Sequence, residues 1–183
     1  MSALEVICGE DNEEIAASIA AFPLRHREFA ANIAVRDHGP FPLFHPEFGH
    51  NNIIVNDYYN VLAVIDWEQA YAAPWEVVDF PLTLALVPKP LTPWDYDRND
   101  EPVDEDTVIR LAEREEYVDA VRKVERSKGS LPLLSAVLAD EAGQDLATAM
   151  RMFANDGEYT WYCRVFDAHH ERWGQRVRVV HGW

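Results

Sequence analysis

The chain has 183 residues, 48% of them apolar and 26% charged, which supports a buried core and excludes wholesale disorder. Its 32 Asp and Glu against 16 Lys and Arg leave a formal net charge of −16. That balance argues against nucleic acid as a partner, because phosphate contacts need clustered basic residues, and it suits a divalent metal or a cationic small molecule better.

From the N-terminus, Glu5, Glu10 and Asp11 stand where a targeting segment would be basic, and no long apolar run follows. The expectation is therefore a cytoplasmic protein without membrane contact, organised as one domain over residues 1–183. Residues 10–36 predict helix in two pieces. Asp11 and Glu14 resemble a capping box, Ile15, Ile19 and Phe22 recur at helical spacing, and Pro23 is expected to end the first piece before a second over 24–33. Residues 37–43, with Pro40, Pro42 and Gly39, predict a loop. The apolar runs 53–55 and 61–65 flank Asn56-Asp57-Tyr58-Tyr59-Asn60 and predict a β-hairpin. Neither run alternates cleanly, which predicts burial on both faces. Residues 75–86 predict a helix despite Pro81, and 87–103, with Pro88, Pro90, Pro93 and Pro102, a loop. A long helix is expected from about 104 to 128, stopped by Gly129 in the left-handed C-terminal position. Residues 131–139, 144–153 and 159–173 predict three more helices. Between 95 and 119, eleven acidic residues face three arginines, half of the net charge, and read as a solvated loop and helix face. The fold class expected is α+β, mostly helical.

The densest group of reactive side chains is His45-Pro46-Glu47-Phe48-Gly49-His50-Asn51-Asn52, followed after the hairpin by Asp66-Trp67-Glu68. If Asn56 pairs with Val61, the same register pairs Asn52 with Ile65 and sets Asp66 beside Asn52. An amide oxygen next to a carboxylate is a hard oxygen pair suited to hydrated Mg²⁺. Glu47, just upstream, can approach the same point. A carboxylate, an Asn five positions later and an Asp beyond a short hairpin form the layout of a kinase catalytic centre. There the first carboxylate accepts the substrate hydroxyl proton and the other two hold the metal. Zinc is a poor alternative, since His45 and His50 are one loop pair and Cys8 and Cys163 lack ligand spacing. No Gly-x-Ser-x-Gly elbow supports a hydrolase.

These segments resemble the aminoglycoside phosphotransferase and choline kinase-like family. His45-x-Glu47-x-x-x-x-Asn52 resembles its His-x-Asp-x-x-x-x-Asn loop, and Val64-Ile65-Asp66-Trp67-Glu68 its Ile-Asp-Trp-Glu segment. Pro74 and Asp79-Phe80 resemble the family's following proline and the helix aspartate that braces the loop. Close resemblance spans about residues 38–82. It implies a protein kinase-like C-terminal lobe that transfers the ATP γ-phosphoryl group to a small-molecule hydroxyl. Mg²⁺ and ATP would then be held at Asn52 and Asp66, with Glu47 in the base position. His45 would be a structural hydrogen-bonding residue, and Glu68 would serve metal or substrate or simply face water.

Two departures bear on activity. Glu47 stands where the family has Asp, and one methylene moves the carboxylate by roughly 1.5 Å, on a scale where about 1 Å can cost on the order of 10²-fold in rate. Only 44 residues precede His45, they read as helix, and the first lysine is Lys89, so the N-terminal ATP lobe with its glycine-rich loop and lysine is expected to be absent from a truncated chain. The expectation is impaired or absent catalysis. The alternative is a non-catalytic pseudokinase-type binding or scaffold protein, with self-association or a partner covering the face the missing lobe would occupy.

Overall fold

The computed structural model describes residues 10–36, 38–155, 160–171 and 173, and over half of these are helical. They form five α-helices and two small antiparallel sheets, an α+β architecture. Helix α1 spans Glu10–Ile33 as one element, with Pro23 inside it. The expected break does not occur. An interior proline costs a helix about 3 kcal/mol, and the packing of this helix outweighs that cost. Phe22 and Ile33 are buried with Leu91, Leu146, Tyr162, Val165, Phe166 and Trp173. Phe22 lies 5.1–5.5 Å from the rings of Phe153, Tyr162 and Phe166, and Phe29 stacks on Phe166 at 5.4 Å.

Strand β1 (Leu43–Phe44) pairs with β4 (Tyr71–Ala72), and β2 (Ile53–Val55) pairs with β3 (Val61–Val64) across the expected hairpin. Ile53 faces Val64 and Ile54 faces Ala63, the register expected from Asn56 and Val61, and a bulge then shifts Val55 onto Val61. Asn56 organises the tip, its Oδ1 accepting from the Tyr58 and Asn60 amides at 3.0 Å each. Burial on both faces is not found. Val61 and Leu62 are 64% and 63% exposed, because among the described residues no layer covers this two-stranded ribbon.

The segment expected as a helix over 75–86 is instead two 3₁₀ turns, Trp75–Val77 and Leu82–Leu84. Pro74 and Pro81 each precede a turn with extended ψ, and Pro81 both lacks an N–H and disfavours helix at the residue before it. Helix α2 (Glu105–Lys128) matches expectation at both ends. The Asp104 carboxylate accepts from the Thr107 amide at 2.9 Å, and Gly129 closes the helix at φ 64°. Helix α3 (Leu133–Leu138) starts later than expected, after Pro132, and its Leu134 amide donates to Glu125 of α2 at 2.9 Å. Helix α4 (Glu141–Ala154) starts earlier than expected, because Asp140 caps it through the Gly143 amide. Helix α5 (Arg164–Ala168) is shorter than the stretch expected over 159–173, of which residues 159 and 172 lie outside the described residues.

Leu146, fully buried between α1 and the C-terminal helices, tests this core. Leu146→Ala should lower the unfolding free energy by about 2–5 kcal/mol in urea titration, whereas Leu131→Ala at a 74% exposed site should change it by less than about 0.5 kcal/mol. Equal losses at both positions would contradict the assignment of the core.

Candidate functional site

The loop between β1 and β2 is held by its own side chains. His45, 7% exposed, approaches the Ile65 carbonyl at 2.8 Å through Nε2. A carbonyl only accepts, so Nε2 carries the proton. Asn52, 6% exposed, donates from Nδ2 to the Glu47 carbonyl at 2.9 Å, closing the loop on itself. Its backbone carbonyl accepts from the Ile65 amide at 2.9 Å.

Asp66 follows directly, at φ 65°. The left-handed region is uncommon for a residue with a Cβ, though Asp tolerates it better than most, and such conformations concentrate at functional positions. Trp67 is pinned by its indole N–H to the Val64 carbonyl at 2.7 Å, with its ring edge-on to His45 at 4.9 Å. The structure therefore brings Asn52 and Asp66 to the same end of the hairpin and places Glu47 on the adjoining exposed turn. Among the described residues no hydrogen bond engages Asn52 Oδ1, and no ion pair engages Glu47 or Asp66. Glu68 is exposed in the turn after Trp67. No group of three or more His, Cys, Asp or Glu side chains is arranged to hold a metal among the described residues.

Asp79 stands apart. Its carboxylate pairs with Arg151 of α4 at 2.8 Å rather than with the loop. The loop is braced instead by the main chain three residues on, where the Leu82 amide donates to the Phe48 carbonyl at 2.8 Å. Burial pushes the Asp79 carboxyl above the usual range, against the opposing pull of Arg151 and Arg114. Gln144 ties α4 to the same segment through Nε2 and the Val78 carbonyl at 2.9 Å.

A second charged group lies in a cleft of about 1070 Å³ between the 86–102 segment, α2 and the C-terminal helices, and neither Glu47, Asn52 nor Asp66 lines it. Arg114 sits there with its guanidinium 4.5 Å from the Phe80 ring and its Nε donating to the Leu84 carbonyl at 2.7 Å. Desolvation lowers its pKa to about 10. His169 pairs with Asp145 at 2.7 Å, and burial raises the Asp145 carboxyl. His169, Arg114, Gln144 and Arg151 carry no sequence signal of their own. Nothing in local spacing links residues that lie 24 to 72 positions from their partners.

No family model, curated protein or solved structure matches the chain.

Because the folded chain binds the Asp79 proton more tightly than the unfolded chain, this group contributes stability at low pH that is lost as pH rises through its raised pKa. Asp79→Asn removes that dependence. The stability of the native chain minus that of the variant should therefore shrink as pH rises above about 4, measured by urea unfolding at each pH. A difference that grows with pH would show the Arg151 pairing to dominate over burial.

Proposed function

We propose that this chain is a kinase-like C-terminal lobe of the aminoglycoside phosphotransferase type, whose ancestral reaction is phosphoryl transfer to a small-molecule hydroxyl and whose catalysis is impaired or absent in this chain. The observation that carries the reading is the Ile65 amide bonded to the Asn52 carbonyl at 2.9 Å, which sets Asn52 beside Asp66 at the hairpin end. The donor chemistry fits Mg²⁺. Asn52 commits its Nδ2 to the loop and leaves Oδ1, and Asp66 adds an exposed carboxylate, so a metal here would be bound by two hard oxygens and otherwise by water. Bound Mg²⁺-ATP would supply the phosphoryl group and neutralise its charge. Glu47 would accept the proton of the substrate hydroxyl, while Asn52 holds the backbone of Glu47 and His45 holds the carbonyl preceding Asp66. The extra methylene of Glu47 supports slow rather than efficient transfer.

A different reading, a non-catalytic binding protein, is favoured by the hairpin surface. Ile54, Val55, Val61 and Leu62 on the hairpin and Trp67 just after it are all exposed. Apolar patches above a few hundred Å² mark interaction surfaces, and on this reading the occupant is a second copy of the chain.

Titration with Mn²⁺ separates the two. On the phosphotransferase reading, paramagnetic broadening should begin at residues around 52 and 66 and disappear in Asp66→Ala and Asn52→Ala. Broadening unchanged in both variants overturns the metal assignment. On the binding reading, sedimentation velocity should show reversible dimers that Leu62→Lys weakens by about tenfold or more. A clean monomer at high concentration, with no dye-detected apolar surface, overturns that reading.

A further inference from the structure

The cleft of about 1070 Å³ beside α2 leaves one of its cations unmatched. Lys89, Arg122 and Arg164 line it, and each is ion-paired, to Asp100, Asp119 and Glu14 respectively. Arg114 has no ion pair among the described residues, and its electrostatic neighbours Asp79 and Asp145 are committed to Arg151 and His169. Its Nε donates to the Leu84 carbonyl, while neither Nη has a hydrogen-bond partner among the described residues and neither is sealed from solvent. With a pKa of about 10, the guanidinium stays charged at neutral pH. A half-buried charge with an unoccupied fork is a place for a planar anion. The Tyr96 hydroxyl, equally open and unbonded among the described residues, lines the same cleft within electrostatic reach of Arg114, Asp145 and Glu141. Burial raises the phenol pKa, so it remains a neutral donor. Glu141 stands one turn before Asp145 on the same face of α4 and has no ion pair among the described residues.

An open guanidinium fork, a phenol donor and an unpaired carboxylate together define the occupant. A simple anion would suit Arg114 but meet Glu141, and also Glu101 and Glu115, which line the cleft without ion pairs among the described residues. A simple cation would suit those carboxylates but meet Arg114. A zwitterion gives each group its complement at no net charge. We propose that this cleft binds a free α-amino acid with an apolar side chain, its carboxylate on the Arg114 fork and the Tyr96 hydroxyl, its ammonium at Glu141. Both ligand charges then sit on one carbon, which suits a phenol within reach of Arg114 and Glu141 alike. Phe80, Val118 and Leu138 supply apolar wall for the side chain. The volume lies at the upper end of small-ligand sites, about 300–1000 Å³, so an aromatic amino acid fits without rearrangement. Neither Glu47, Asn52 nor Asp66 lines this cleft, and the inference stands whether or not the chain transfers phosphate.

The test is calorimetry of the native chain at neutral pH with L-phenylalanine, N-acetyl-L-phenylalanine and L-phenylalaninamide, which keep the ring and remove one charge in turn. The amino acid should bind at least about tenfold more tightly than either derivative, with the Arg114 Nε resonance and the backbone amides of residues 96 and 141 shifting. Tyr96→Phe and Glu141→Gln each alter one polar group and leave in place Arg114, which also holds the Leu84 carbonyl. Each should weaken the amino acid by about threefold or more, and Glu141→Gln should leave the N-acetyl derivative bound equally or more tightly. Equal affinity for the three ligands, no binding of the amino acid up to its solubility, or affinity unchanged in both variants would each overturn the proposal. Tighter binding of the N-acetyl derivative or of the amide would overturn it in favour of a simple anion or a simple cation.

Discussion

Ile65 is the residue on which the arrangement depends. Its amide donates to Asn52 and its carbonyl accepts from His45, at 2.9 and 2.8 Å, so both of its backbone polar groups are consumed by the loop that precedes the hairpin. These two bonds convert a sequence separation of 20 between His45 and Ile65 into direct contact. With Ile65 held, the chain turns at Asp66 through the left-handed region, and the carboxylate emerges next to Asn52. Together the two bonds tie the loop to the open end of a hairpin that would be marginal alone.

Support for that joint comes from the helical side. Helix α4 contributes Gln144 to the Val78 carbonyl and Arg151 to Asp79, and the segment so anchored contributes Leu82 to the Phe48 carbonyl. Three polar contacts thus relay the position of a buried helix to a loop on the surface. The helix itself is fixed by the aromatic cluster it shares with α1 and α5. A surface loop gains precision only when rigid elements hold it, and here the rigid element is α4.

Charge is distributed unevenly along this framework. The charged residues of the acidic stretch over 95–119 are exposed, with Arg114 as the exception, half-buried over Phe80. Asp79 and Asp145 pay for burial with raised proton affinity, each facing one direct partner, Arg151 and His169 respectively. The hairpin end carries Asp66 and Glu47 in the open, where a metal ion or a partner can reach them, while His45 and Asn52 stay buried behind it.

Sequence alone determined what short-range chemistry decides. The helix from Asp104 to Gly129 could be read from an N-capping carboxylate and a left-handed glycine, and the hairpin and its register from two apolar runs around a turn-rich segment. The proximity of Asn52 and Asp66 followed from that register by counting. Tertiary structure decided the rest, because each outcome turned on a partner distant in sequence. Helix α1 runs through Pro23 since Phe22 and Phe29 pack on residues more than a hundred positions away. The 75–86 segment yields helix to two proline-led turns that dock on α4 and the loop. Asp79 turns to Arg151 across 72 positions, and His45 commits its Nε2 to a carbonyl 20 positions away. Propensity and spacing act over a few residues, whereas burial and pairing are properties of the assembled core.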